Sequence, residues 1–316
     1  MRHSFIAVSL GATIAIALAA CSKKDEQVSM PAEPAVAAVA APAIAPIAAS
    51  ATVKPFAIGA FQAAALSDGE IVMPNDNKTL AINAKKPEVD ALLTANSLPA
   101  DQIHLSVQPL IVKTSDKVLL FDTGAAALFG PTLGKLPASL TAAGIDPATV
   151  TDIFISHGHG DHVGGLVANN ALAFPNAAIH IQAAEWASLK GQQQMAPLVT
   201  AIAPKVVEFQ PGAELVAGVK AVDIKGHTPG HSGYLISSGD QSLLYIGDTM
   251  HHSVISVQQP DWTIAFDGDA PTAQASRKQI IESSAASGQR IYAVHFPFPG
   301  LGKFAKQDDK FVWVAE

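Results

Sequence analysis

The sequence predicts an α/β fold of four layers, an αββα sandwich in which two sheets pack face to face with helices outside them. Three observations carry that expectation. Short runs rich in β-branched and aromatic residues recur between residues 56 and 294. Stretches with helical spacing separate groups of these runs. The order of strands, helix and strands occurs twice, and a long helical stretch stands directly before the last apolar run. There is no internal repeat and no sign of a second domain, and residues 55–316 suit one domain of this kind.

The N terminus is read separately. Residues 1–4 contain one Arg and one His, and residues 5–20 are apolar or small throughout. A bilayer span needs about 20 apolar residues, so this run fits a secretory signal better than a membrane helix. It ends in Leu18-Ala19-Ala20-Cys21, which resembles the lipobox of bacterial lipoproteins. That resemblance implies cleavage before Cys21, acylation of Cys21, export, and attachment to the periplasmic face of a bacterial membrane. Ser22 is compatible with the outer membrane. Residues 1–21 are therefore expected to be a lipoprotein-type signal peptide. Residues 22–54 are expected to be a tether, because residues 31–51 are almost entirely Ala, Pro, Val and Ile. Repeated Pro blocks a long helix, and little bulky apolar surface is available to bury.

Within the domain, strands are expected at 56–61, 103–112, 118–121, 152–155, 178–181, 220–224, 233–236, 243–246 and 291–294. Helices are expected at 87–96, 137–143, 183–189 and 271–286. Pro87 and Pro271 suit a first helical turn, where a missing N–H costs nothing. Composition narrows the chemistry. A net charge of −7 without a basic stripe argues against a nucleic-acid binder. The one Cys excludes a disulfide framework, a Cys zinc finger and a Cys-ligated iron–sulfur cluster.

The strongest local signal is His157-Gly158-His159-Gly160-Asp161-His162, directly after the apolar run at 152–156. Imidazole and carboxylate are good ligands for zinc and similar divalent ions. Residues 157 and 159 can point one way from an extended segment, while Asp161 and His162 turn to a second position. The two glycines would allow a tight bend and a close approach of backbone to metal, and Leu166-Val167-Ala168 could open a helix. Four donors in one loop suggest either one ion short of ligands or two ions sharing them. Three further donors follow apolar runs: His227, Asp248 and His295. The end of a strand is a usual address for a site carried on a rigid scaffold.

These residues, in this order, resemble the metallo-β-lactamase superfamily over roughly residues 57–311. The resemblance implies the αββα fold of that family and a site for two divalent ions, zinc expected first, with Mn²⁺, Co²⁺ or Fe²⁺ as alternatives. It implies that one ion takes His157, His159 and His227, that the other takes Asp161, His162 and His295, and that Asp248 bridges both. Asp122 matches an Asp that supports the site from behind. A hydroxide shared by two ions would attack the electrophile, with Asp161 orienting it and moving its proton.

The branch is narrowed by what is missing. No Cys ligand is present and a bridging Asp is, which weakens a β-lactamase. The stretch after His295 is short for the C-terminal helical domain of glyoxalase-type enzymes, and the inserted domain of the nucleases is not visible. His295-Phe296-Pro297-Phe298-Pro299-Gly300-Leu301-Gly302 resembles methyl parathion hydrolase-like enzymes, a branch that includes phosphotriester hydrolases and N-acyl-homoserine lactonases. This implies a small neutral ester, lactone or phosphotriester as substrate, and a homodimer. Where the lactonases often carry a Tyr three positions past the bridging Asp, this chain has His251, read either as a hydrogen-bond donor to substrate or as a His of a surface loop. Trp186, Trp262, Phe266, Phe296 and Phe298 are candidates for an apolar pocket. His104 and His180 are expected to be structural, and His231 to stand in a turn or behind the ligands. The alternatives are another enzyme of the superfamily, a persulfide dioxygenase or a β-lactamase-like one, or a non-catalytic metal-containing periplasmic lipoprotein.

Overall fold

The computed structural model describes residues 46–126 and 130–316. The expected signal with Cys21, and residues 22–45 of the expected tether, lie outside the described residues.

Strands β1 (Val53–Ile58), β2 (Phe61–Leu66) and β3 (Gly69–Pro74) lead into helix α1 (Lys86–Ala95). Strands β4 (Gln102–Val107), β5 (Leu110–Lys113) and β6 (Val118–Phe121) precede helix α2 (Leu136–Ala142) and strand β7 (Asp152–Phe154). A single helical turn, α3 (Gly160–Val163), is followed by a two-residue strand pair, β8 (Val167–Ala168) and β9 (Ala171–Leu172). Strand β10 (Ala178–Gln182), helices α4 (Ala183–Lys190) and α5 (Ala196–Ile202) and strand β11 (Val206–Phe209) close the first half. The second half opens with strands β12 (Glu214–Val216), β13 (Val219–Asp223), β14 (Ser232–Ser238) and β15 (Gln241–Tyr245). Helices α6 (Ile255–Gln258) and α7 (Ala270–Ser287) and strands β16 (Arg290–Tyr292), β17 (Leu301–Gln307) and β18 (Lys310–Ala315) end the chain.

Two seven-stranded sheets result, ordered β1-β2-β5-β6-β7-β10-β11 and β12-β13-β14-β15-β16-β17-β18. Alternation along the strands explains the layering. In β2, Ala63 and Ala65 face the core between the sheets, while Ala64 and Leu66 face the outer core under α2 and α4. In β15, Leu243 and Tyr245 point inward and Leu244 points to the core under α7. Strands apolar on both faces need cover on both, and the helices supply it. The αββα sandwich is therefore the architecture of the domain. Helix α7 buries Ala273, Arg277, Ile281 and Ser284 along one stripe. Asp269 accepts from the backbone N–H and hydroxyl of Thr272 at its start, and Gly288 ends it in the left-handed conformation.

Several sequence expectations are corrected. The run at 56–61 is two strands, β1 and β2, divided at Gly59, where a side chain would strike the Ser238 carbonyl 2.1 Å away. The run at 103–112 divides into β4 and β5 at Gln108-Pro109, because Pro109 has no N–H to give a ladder. Leu166-Val167-Ala168 opens no helix; the helical turn lies earlier, at α3, and Val167 pairs with Leu172. The tether was expected to reach residue 54, yet β1 begins at Val53 and Ile47 is already buried. Strands β3, β8, β9, β11, β12, β17 and β18 have no counterpart among the expected strands. β3 and β4 form a separate antiparallel ribbon.

Candidate metal centre

Four strand ends carry the donors: the loop after β7 holds His157 to His162, and His227, Asp248 and His295 follow β13, β15 and β16. Two groups form. His157, His159, His227 and Asp248 offer ligand atoms within 4.8 Å of one another, and so do Asp161, His162 and His295. In the first, His157 Nε2 lies 2.9 Å from His159 Nδ1 and 3.2 Å from His227 Nε2, and the last two are 3.1 Å apart. Asp248 faces both groups with different oxygens. Its Oδ2 is 3.5 and 3.4 Å from the His157 and His227 nitrogens, and its Oδ1 is 3.2 and 3.1 Å from His162 and His295 Nε2. Asp161 Oδ2 stands 3.5 and 3.4 Å from the same two nitrogens.

The donors fit metal ions. A tetrahedral cation about 2.0–2.1 Å from each nitrogen holds them about 3.3 Å apart, close to the spacing found. His162 Nε2 and Asp248 Oδ1 are buried, have no hydrogen-bond partner, and point at the space between donors. Buried orphans of this kind are rare unless an ion completes them.

The other side of each ring is fixed. His162 Nδ1 donates to Asp122 Oδ2 at 2.8 Å, and the same oxygen accepts from the Ser156 and Tyr245 hydroxyls at 2.6 Å each. Asp122 itself adopts a φ of 56°, an uncommon conformation that Asp tolerates better than most. His157 Nδ1 lies 3.0 Å from Ser156 Oγ. His295 Nδ1 donates to the Ser106 carbonyl at 2.7 Å, and His227 Nδ1 to Asp267 at 3.0 Å. Buried Arg277 secures Asp267 at 2.9 Å and also donates to the Thr249 and Pro260 carbonyls. His231 donates to the Ile224 carbonyl and accepts the backbone N–H of Asp248 at 2.9 Å. Such partners set which nitrogen presents a lone pair to a cation.

Burial pushes His157 and His159 down, and His227 down to about 4. Burial would lower His162 and His295 too, but the carboxylates around them, Asp248 first, hold both up. A cation at the second group must therefore displace protons. Burial would raise the Asp161 and Asp248 carboxyls, yet the neighbouring imidazoles, His162 first, hold both low and ready to ligate.

His251 lines the same cavity, its ring parallel to that of His295 at 5.4 Å and its Nε2 3.1 Å from Asp248 Oδ2. The cavity holds about 340 Å³, and Ile71, Met73, Leu105 and Phe266 form its apolar wall. Of the five aromatic candidates only Phe266 is there. Trp186 lies in the core beneath α4, Phe296 in that beneath α7, Trp262 packs against the β3–β4 ribbon cluster, and Phe298 against the core between the sheets. The wall from β3 and β4 was missed because a ribbon paired across 30 residues leaves no local mark. Gly158 and Gly160 do not make a left-handed bend. Gly158 instead makes a close approach, since a Cβ there would crowd Glu185 Oε1 and Leu189 at 3.1 Å. His180, stacked on Phe154 and bonded to Asp152 at 2.9 Å, and exposed His104, paired with Glu70, stand apart from the site. Asp267, Arg277 and Glu185 were not legible as site residues, because only tertiary contact ties them to it.

Comparison with known proteins places this arrangement. Residues 105–286 match the family model of the metallo-beta-lactamase superfamily. A probable metallo-hydrolase of Mycobacterium tuberculosis is 30% identical over 212 residues, 55% of this chain and 66% of that one. An N-acyl homoserine lactonase of a Bacillus species is 30% identical over 163 residues, 44% of this chain and 62% of that one. The chain thus spans just under two thirds of these relatives' length. Among solved structures, the dizinc quorum-quenching lactonase AidC superposes with a TM-score of 0.80 at 31% identity, covering 84% of this chain and 97% of that one. The hydrolase AbOPH of the beta-lactamase superfamily superposes at 0.78 and 27% identity, covering 85% and 98%.

Proposed function

The chain belongs to the metallo-β-lactamase superfamily, and on that premise we propose that it is a dinuclear metal-dependent hydrolase of small neutral ester-like substrates: lactones such as N-acyl-homoserine lactones, aryl esters or phosphotriesters. The observation that carries this reading is Asp248, whose two oxygens face the two donor groups separately. His157, His159 and His227 would hold one ion, Asp161, His162 and His295 the other, zinc first among the candidates. When bound, two such ions supply an acidified water and Lewis-acid polarisation of the substrate oxygen.

The chain's own residues supply the rest. Ile71, Met73, Leu105 and Phe266 take up an apolar substrate arm and exclude water beside the donors. Among the described residues no Lys or Arg lines the cavity, which favours a neutral substrate. Asp161, ionised and lining the cavity, orients the attacking water and relays its proton. His251 donates through a ring nitrogen to a substrate oxygen. Similarity to a dizinc lactonase supports the lactone part of this range, and similarity to a hydrolase of the superfamily supports hydrolysis. We also propose that the protein is exported and anchored through Cys21.

The test is metal content measured together with turnover on a lactone, aryl ester and phosphotriester panel. Two ions per chain are expected. A chelator should abolish turnover and Zn²⁺, Mn²⁺ or Co²⁺ should restore it. Asp248→Ala should fall below about 1% of wild-type kcat/KM with the fold retained. Chelator-resistant turnover, or wild-type rates in Asp248→Ala, would sink the proposal.

A further inference from the structure

Glu185 is a buried carboxylate in the first turn of α4, about 2% exposed. Its contacts connect two loops that come from different sheets. Oε1 accepts the backbone N–H of Gly158 at 2.7 Å, between His157 and His159. Oε2 accepts the Thr228 hydroxyl at 2.7 Å and the backbone N–H of Gly230 at 2.9 Å, just after His227. Both glycines are pressed against α4. A Cβ on Gly230 would lie 2.3 Å from the Glu185 nitrogen, and one on Gly158 would meet Glu185 Oε1 at 3.1 Å. The approach is close at Gly158 and leaves no room for a side chain at Gly230.

We infer that Glu185 is a positioning residue for one metal alone: it clamps the loop of His157 and His159 to the loop of His227, and so fixes the spacing of that three-histidine group. The inference rests on the dinuclear reading above. Its physical basis is the donor count. Three donors converge on one side chain, and a carboxylate can accept all three because it has two acceptor oxygens and no proton to offer. Glutamine has the same shape but turns an NH₂ group toward at least one of these donors, so one loop must move away. The other group has separate supports. His162 rests on Asp122 and His295 on the Ser106 carbonyl, and Glu185 touches neither. A general packing role would weaken both groups alike; a clamp weakens one.

The experiment titrates metal-free protein with Co²⁺ and with Zn²⁺ against a chromogenic chelator, wild type beside Glu185→Gln. One of two equivalents should weaken by about 10–100-fold, the loss typical of removing an outer support, while the other stays within about threefold. Two unchanged equivalents, or equal weakening of both, would overturn the clamp. Amide hydrogen exchange on the metal-free proteins gives a second readout that needs no ion. In Glu185→Gln, the amides of residues 157–159 and 226–231 should exchange faster together, while those of 161–163 and 293–298 should not change. Unchanged exchange in the two loops would overturn the clamp as well. A wild type that takes up fewer than two ions would instead defeat the dinuclear reading, and exchange alone would then decide the clamp.

Discussion

His252 sits next to the cavity-lining His251 but turns to another task. Its Nδ1 accepts the backbone N–H groups of Val254 and Ile255, at 3.2 and 3.1 Å, where α6 begins. An accepting Nδ1 must stay unprotonated there, and burial, aided by His104, pushes the ring down to about 4 from the usual 6.5. Below pH 6.5 the unfolded chain therefore takes up a proton that the folded chain refuses until about pH 4. The contribution is complete above pH 6.5 and is lost as pH falls through that window, about 3 kcal/mol in all. His252→Asn keeps an acceptor that does not titrate. Denaturant unfolding between pH 7 and pH 4 should fall more steeply for wild type than for this variant, and parallel curves would refute the assignment. The residue scale also marks where sequence stops being informative. His157 to His162 stand together in the chain, and their donor chemistry is legible as spacing. The carboxylates behind them are not: Asp267 and Glu185 look like any acidic residue of a loop and a helix until the fold sets one on His227 and the other on Gly158.

At the scale of elements, the loop after β13 is shaped by the helix that packs on it. Gly226 has a φ of 112°, and a Cβ there would lie 2.1 Å from the Ala273 nitrogen in the first turn of α7. The same turn region reaches back: the N–H groups of Asp269 and Gly268 bond to the carbonyls of Gly226 and His227 at 2.8 and 2.9 Å. Gly226→Ala must therefore push α7 and His227 apart. A loss of about 3 kcal/mol or more in unfolding free energy is expected, with a fall in kcat/KM. Gly288→Ala is the contrast: its φ is 69° with nothing within 4 Å, so about 1 kcal/mol should go while kcat/KM stays. Equal effects of the two would show that backbone strain alone, and not contact with α7, governs the loop. The elements that sequence resolves well are those buried on both faces, such as β6 and β7, whose continuous apolar runs mark them. The β3–β4 ribbon and the β17–β18 hairpin carry outward Glu and Lys and gain their order from pairing, so their apolar wall and edge emerge only in three dimensions.

For the whole molecule, the proposed anchor at Cys21 lies outside the described residues, and the candidate metal centre lies within them. Residues Ile44–Glu316 form one compact unit, and every donor, support and cavity residue described above belongs to it. The proposed attachment depends on a single atom elsewhere, the Cys21 sulfur, because one or two buried acyl chains decide between weak and stable membrane binding. If that assignment holds, Cys21→Ser should move the protein from the membrane pellet to the soluble fraction in the bacterium that makes it, and labelled fatty acid should be incorporated only by the wild type. The thermal midpoint and kcat/KM of the two forms, measured in detergent, should agree, since the donors, supports and cavity residues described above all belong to residues 46–316. A variant that stays in the pellet without label would mean that the apolar run at residues 5–20 holds the chain in the membrane uncleaved. A variant that is released but loses turnover would mean that the anchor acts on the site as well as on its address.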